Sequence, residues 1–329
     1  MITVLKPGLL TTVQDLGRFG YQQYGVAVGG ALDPLAARTT NLLVGNDDNA
    51  AVLELAQTGP ELQFSTAVLV AWTGAGFDAR VGREPLPPNR AVRVAAGETI
   101  SFGFAGSGLR AWLAVAGGID VPVVLGSRST YRRAGLGGHQ GRALVAGDEL
   151  KLFPPGEWAA RIHASLLAAG RRATAWTVRP ETLGKPAPAG TVRALRGPEW
   201  DWFAPEARHR FFATEWEATR EADRMGLRLE GPSLPLAAPR EMISSAVNAG
   251  VVQVPPAGQP IVLLRSRQSV GGYPRLAAVA AVDLRSFAQL RPGDKVRFQE
   301  ITLAVAHELH LAREGDLNRV RLGLARMTA

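Results

Sequence analysis

The chain has 329 residues, a length suited to about two domains with sizeable cores. With 46% hydrophobic and 20% charged residues, 37 Gly and 22 Pro, the composition excludes disordered, collagen-like and coiled-coil classes and describes a turn-rich globular protein. The absence of cysteine excludes a disulfide framework, a cysteine-ligated metal and a thiol nucleophile, and the net charge of +8 is carried mostly by scattered arginines without any basic block, so no nucleic-acid partner is expected.

The opening Met1-Ile-Thr-Val-Leu-Lys-Pro-Gly8 is interrupted at Lys6-Pro7 before an apolar stretch of signal-peptide length can form, and no long uncharged apolar run follows. The expectation is a soluble cytoplasmic protein that makes no membrane contact. Asp33-Pro34 supplies an N-cap and a first-turn proline for a short helix from Leu35 to Leu43, which ends before Gly45-Asn46. Strand alternation then dominates, at Val92/Val94, Ile100/Phe102/Phe104 and Leu109/Ala111/Leu113/Val115. A second helix is predicted from Glu157 to Ala169, where Trp158, Ile162 and Leu166 share a face.

Residues 260–264 are apolar at consecutive positions and fit a strand covered on both faces. Val296/Phe298 and Ile301/Leu303/Val305 alternate again, with a parity change that predicts a bulge or turn at Gln299-Glu300. Leu317, Val320 and Leu324 lie on one face of a third helix near the C-terminus. Many short strands with Gly/Pro-rich turns argue for barrels or sandwiches.

A glycine–acid–strand pattern occurs at Gly97-Glu-Thr-Ile-Ser-Phe102 and Gly293-Asp-Lys-Val-Arg-Phe298, and more loosely at Gly147-Asp-Glu-Leu-Lys-Leu-Phe153. Two β-domains of similar plan follow from it: residues 1–153 and 191–301, joined by a helix-containing connector over 154–190 and followed by a helical tail over 302–329.

The dense glycine stretch Gly135-Leu-Gly-Gly-His-Gln-Gly-Arg142 matches neither a dinucleotide fingerprint nor a Walker A loop, and reads as a tight turn or an anion-holding nest beside Arg142. His307-Glu-Leu-His310 is one residue short of a zinc-protease motif, and continued strand alternation would send its two rings to opposite faces, so no metal site is expected. Three polar, glycine-flanked segments remain as places for ligand contacts: Gly126-Ser-Arg-Ser-Thr130, Asp223-Arg-Met-Gly-Leu-Arg-Leu-Glu-Gly231 and Arg265-Ser-Arg-Gln-Ser-Val-Gly-Gly-Tyr-Pro274.

Read in order, these segments join a longer series: Pro7-Gly-Leu-Leu-Thr-Thr-Val-Gln-Asp-Leu-Gly-Arg18, Gly29-Gly-Ala-Leu-Asp-Pro34, Asn41-Leu-Leu-Val-Gly-Asn46, Leu53-Glu54 with Thr58-Gly-Pro60, and Leu113-Ala-Val-Ala-Gly-Gly-Ile-Asp-Val-Pro122. The whole series resembles the biotin-dependent carboxyltransferase-like family, also called allophanate hydrolase subunit 2, whose bacterial members include KipA and the C subunit of 5-oxoprolinase.

The resemblance implies a mainly β fold of two cyclophilin-like β-barrel domains with a few short helices. It also implies two partners, a KipI-like 5-oxoprolinase B subunit and the 5-oxoprolinase A subunit. Together with the C-like component these hydrolyse 5-oxo-L-proline to L-glutamate using ATP. The substrate is a small amide or lactam, whose carbonyl must be activated before its amide opens; phosphorylation of that oxygen supplies a leaving group.

On this reading Arg128, Arg224, Arg228 and Gln268 contact substrate or phosphate. Ser127, Ser129, Thr130 and Tyr273 orient it, with Gly271 and Gly272 in the same loop, and Asp15, Arg18, Asn41 and Glu54 are structural. No catalytic residue is assigned. Family members commonly read Asp-x-Gln-Thr-x-Gly-Gly-Tyr-Pro; here Ser266 stands in the acid's place and Ser269 replaces Thr, which weakens a carboxyl-transfer reading of the urea-carboxylase or allophanate type. None of the four lysines lies beside a methionine, so no covalently attached biotin is expected on this chain. A non-catalytic KipA-like antagonist that binds a KipI-like kinase inhibitor is the remaining alternative.

Overall fold

In the computed structural model, which describes residues 1–326, the alternating segments form strands. The chain divides into two units, one made of residues 1–18, 29–183 and those from 316 onward, the other of residues 19–28 and 184–315. The expected connector does not stand apart: residues 154–183 belong to the first unit, and residues 327–329 of the expected tail lie outside the described residues.

The first unit carries β1 (Ile2–Lys6), β2 (Leu10–Gln14), α1 (Pro34–Leu43), β3 (Val52–Ala56), β4 (Glu61–Phe64), β5 (Val68–Gly74) and β6 (Phe77–Val81). It continues with β7 (Glu84–Pro85), β8 (Val92–Val94), β9 (Thr99–Ala105), β10 (Arg110–Val115), β11 (Ile119–Asp120), β12 (Glu149–Leu152) and α2 (Glu157–Ala168). These strands form a seven-stranded sheet in the order β11-β12-β1-β4-β9-β6-β7 and a five-stranded sheet in the order β2-β3-β10-β5-β8. Ile2, Val13, Leu53, Phe64, Trp72 and Phe102, drawn from both sheets, share one core, in which the Trp72 and Phe102 rings meet edge-to-face at 5.5 Å.

α1 begins as expected: the Asp33 carboxylate accepts the Ala36 N–H at 3.0 Å and Pro34 occupies the first turn. Gly45, at φ 74°, ends it in the left-handed conformation that glycine adopts without strain.

The second unit contains β13 (Thr191–Arg196), α3 (Pro205–Ala213), β14 (Glu215–Ala222), β15 (Gly226–Glu230), β16 (Ser245–Ala246), β17 (Val251–Gln253), β18 (Ile261–Leu263) and β19 (Val270–Gly271). β20 (Arg275–Val279), α4 (Leu284–Phe287), β21 (Lys295–Glu300) and α5 (Leu303–Arg326) follow. Seven of these strands close a barrel, β13-β20-β17-β18-β15-β14-β21, and β16 and β19 form a separate ribbon. The barrel needs no edge protection because every strand in it has two neighbours. Phe211 of α3 stacks on Phe298 of β21 at 4.4 Å and so seals one part of its core. The mainly β class with few helices is the fold this chain adopts.

Two local expectations are corrected. β21 runs unbroken to Glu300, with no bulge at Gln299-Glu300, and residues 303–305 open a helix instead of continuing a strand. The Thr302 hydroxyl accepts the Val305 N–H at 3.3 Å and its carbonyl accepts the Ala306 N–H, so Thr302 caps α5; Leu309, Leu317 and Leu324 then bury one face at helical spacing. The parity change in the sequence marks this strand-to-helix junction. No helix among the described residues is long and apolar enough to cross a membrane.

The glycine–acid pattern has one physical form at all three places. Gly97, Gly147 and Gly293 have φ of 81°, 88° and 91°, and Glu98, Asp148 and Asp294 each accept the N–H of the residue three positions earlier at 2.7, 2.8 and 2.7 Å. The turn therefore fixes the start of β9, β12 and β21 with a carboxylate as well as with backbone bonds.

Candidate functional site

The predicted residues fall into two groups, one in each unit. In the first unit, Asp15 directly follows β2 and is buried. One of its carboxylate oxygens accepts the hydroxyls of Ser127 (2.7 Å) and Ser129 and the Gly17 N–H (2.8 Å), while the other accepts the Arg128 N–H at 2.6 Å. The Thr130 hydroxyl donates to the Val13 carbonyl at 2.9 Å. Ser127, Ser129 and Thr130 are all buried, and their hydroxyls are occupied in holding the loop, so they set its shape from inside.

Arg18 is fully buried beside them and donates to the Ser129 carbonyl at 2.7 Å. Burial pulls its guanidinium below the ordinary arginine range, and the Asp15 charge opposes that pull. Arg128 is different: its side chain lies over the Phe153 ring at 5.3 Å and donates from Nε to the Val121 carbonyl, so its charge sits half-buried on an aromatic face.

The glycine-rich stretch after this loop serves backbone packing. A Cβ on Gly137 would meet the Ser129 carbonyl oxygen at 2.2 Å, and one on Gly138 would meet the Thr130 hydroxyl at 1.9 Å. Arg142 does not face an anion nest; both of its terminal nitrogens donate to the Asp148 carboxylate at 2.7 Å. Asn41 and Glu54 are tied into the fold as well. The Asn41 amide donates to the Ala50 carbonyl, and buried Glu54 accepts the Leu32 N–H and the Trp112 indole N–H, each at 2.9 Å.

In the second unit, Arg228, Gln268 and Tyr273 line one cavity of about 460 Å³ together with Arg220, Gln253 and Ile261. The barrel explains why. Odd residues of β15 bury Leu227 and Leu229, so Gly226 and Arg228 point outward, and β15 pairs with β18, which pairs with β17. Arg228, Ile261 and Gln253 are thereby aligned in one row across three strands. The segment over 264–274 brings Gln268 and Tyr273 to the same cavity.

Arg228 is paired with Glu221 at 2.7 Å, and Asp223 accepts the N–H groups of Met225 and Gly226 in the hairpin turn. Arg224 is buried, and its carbonyl accepts the Ser266 N–H, which joins the hairpin to the glycine loop. Gly271 pairs in the β16–β19 ribbon and Gly272 is exposed next to it.

Two residues of this unit escape sequence reasoning. Gln253 is buried at the end of β17, where it reads as an ordinary strand residue. Arg267 is 4% exposed, and its guanidinium donates to two neutral acceptors, the Val247 carbonyl at 3.1 Å and the Asn248 side-chain oxygen at 3.4 Å; burial lowers its pKa from the ordinary value. The signal for Arg267 was its place inside the Arg265–Pro274 motif. His307 and His310 are both exposed on α5, and His310 accepts from Arg313 at 3.2 Å; no three metal-ligating side chains gather among the described residues.

One unit is thus a seven-stranded barrel with a cavity lined by Arg220, Arg228, Gln253, Ile261, Gln268 and Tyr273, and the other a two-sheet unit carrying a serine–aspartate-braced loop. Residues 24–300 match the family of carboxyltransferase domains, subdomain A and B, and the chain belongs to that family. It is 39% identical over 306 residues to the C subunit of 5-oxoprolinase from Escherichia coli, a match covering 93% of each chain. To the C subunit of 5-oxoprolinase from Haemophilus influenzae it is 35% identical over 322 residues, which covers 98% of each. The crystal structure of the K. lactis urea amidolyase superposes with a TM-score of 0.85 at 29% identity; this chain is covered to 97%, but accounts for only 20% of that much longer one.

Proposed function

We propose that this chain is the C component of an ATP-dependent 5-oxoprolinase, which acts with an A subunit and a KipI-like B subunit to hydrolyse 5-oxo-L-proline to L-glutamate. The observation that carries this reading is the end-to-end similarity to two proteins named as the C subunit of that enzyme, covered to 93% and 98% of their own lengths. The cavity beside Arg228, Gln268 and Tyr273 supports it chemically, because a lactam acid offers a carboxylate to a guanidinium and amide groups to amide partners. On this reading ATP is used by the assembled complex. The test is glutamate release from 5-oxoproline and ATP by the purified chain with and without its A and B partners. Activity only in the complete mixture is expected, and none in that mixture would overturn the assignment.

The second reading, a carboxyltransferase component of a urea-carboxylase or allophanate system, is favoured by the fold it shares with the urea amidolyase. Ser266 in place of an acid counts against it. Carboxybiotin turnover with urea as acceptor separates the two.

A further inference from the structure

We propose that Gln253 is the specificity-determining residue of the second unit's cavity, and that its side-chain carbonyl accepts the N–H of a cyclic amide substrate. This rests on the reading of the cavity as a lactam site. Gln253 is 2% exposed, yet its side chain still contributes to the cavity wall. Its Nε2 donates to the Tyr273 carbonyl at 3.1 Å, which fixes the orientation of the amide: a carbonyl oxygen can only accept, so the nitrogen must face it. The Oε1 atom is left as an acceptor and receives no hydrogen bond from any described residue. With its nitrogen held and its oxygen open at the cavity wall, the amide accepts a ligand N–H without having to turn.

The surroundings restrict what that ligand is. The two carboxylates of the wall are already engaged, Glu221 with Arg228 and Asp223 with the turn N–H groups, which leaves neutral oxygens for a neutral N–H, and among them Gln253 Oε1 is the one whose amide is already held in place. Arg220, Arg228 and the exposed Gln268 amide supply donors for a carboxylate and a carbonyl. Ile261 lies between Arg228 and Gln253 in the aligned row and offers an apolar floor for a small ring. Gly271 belongs to the same device. A Cβ there would stand 2.5 Å from Gln253 Nε2, so the first glycine of the Gly271-Gly-Tyr-Pro274 motif is what lets the glutamine amide lie against the loop.

The substrate class that fits is therefore a five-membered lactam carrying a carboxylate, selected over the lactone of the same shape, which presents an oxygen where the lactam has N–H. A site that hydrogen-bonds an N–H discriminates strongly against an analogue lacking it, because the protein acceptor is then left unpaired.

The experiment compares 5-oxoproline with the corresponding five-membered lactone carboxylate, as competing ligands of the complete three-component mixture, for wild type, Gln253→Met and Gly271→Ala. Circular dichroism and the thermal midpoint verify folding. Wild type is expected to prefer the lactam by about tenfold or more. Gln253→Met keeps length without the acceptor and should bind both ligands alike, with lactone affinity unchanged. Gly271→Ala, which displaces the amide without deleting it, should also flatten the preference. A lactam preference that survives in folded Gln253→Met overturns the role of Gln253 while leaving the substrate assignment intact. Failure of wild type to bind or turn over the lactam at all overturns the assignment and the inference with it.

Discussion

Replacing Asp148 by asparagine removes a charge that Arg142 grips with two hydrogen bonds of 2.7 Å, while leaving the side chain's shape in place. Those bonds, stronger than the opposing effect of burial and assisted by the Val145 N–H, hold the Asp148 carboxyl at a pKa of about 2 against an ordinary 3.8. A depressed folded-state pKa contributes stability above the unfolded value and loses it as pH falls through the folded one. The difference corresponds to about 2.4 kcal/mol at pH 7 and about 1.3 kcal/mol at pH 3. Asp148 is 7% exposed while Arg142 is 36% exposed, so solvent screening makes both figures upper limits. Urea unfolding of wild type and Asp148→Asn at the two pH values, compared at constant slope, measures the effect. The gap between the two proteins should narrow by up to about 1 kcal/mol on going from pH 7 to pH 3. A gap that stays constant would refute the claim that the ion pair, and not the turn geometry, holds the carboxyl down.

Other outcomes follow from the same geometry. Asp283 accepts three hydrogen bonds from Arg193, and both are buried, so Asp283→Ala leaves an uncompensated guanidinium and should cost about 3–5 kcal/mol in chemical unfolding. Ser129→Ala removes a hydroxyl bonded to the Asp15 carboxylate and should lower stability by about 2 kcal/mol, read from the same unfolding curves. Gly147 has open space where a Cβ would go, so Gly147→Ala should lose only what its positive φ costs, about 1 kcal/mol by thermal unfolding; a much larger loss would show that the site is crowded. If the proposed function holds, Arg228→Met should raise KM for 5-oxoproline in the complete three-component mixture with a smaller change in kcat, and an unchanged KM would remove Arg228 from the proposed site.

Much of this was legible in the sequence because the strands are short and half-buried, and period-two alternation reports that state directly. Val92/Val94 and Ile100/Phe102/Phe104 form β8 and β9 as read, and Asp33-Pro34 starts α1. The reading fails where a pattern is too short to carry a period: Ile301/Leu303/Val305 is three alternating residues, and the Thr302 cap and the helical burial of Leu309 and Leu317 outweigh it. α3 was missed because Pro205-Glu-Ala-Arg-His has little amphipathic signal; its burial rests on Ala207 and Phe211. The Gly271-Gly-Tyr-Pro274 motif pointed to the cavity, but Gln253 could be found only once strand pairing had set it next to Ile261 and Arg275, a relation that no local pattern encodes.

The carboxylate of Asp15 binds residues that lie 112 to 114 positions further along the chain. Closing so long a loop costs little more entropy than closing one half its length, but it cannot happen until the later segment exists. On the ribosome, Asp15 emerges early and waits for more than a hundred residues before its partners arrive. The brace of the 127–129 loop is thus a long-range contact, one that only a chain synthesised past Ser129 can make.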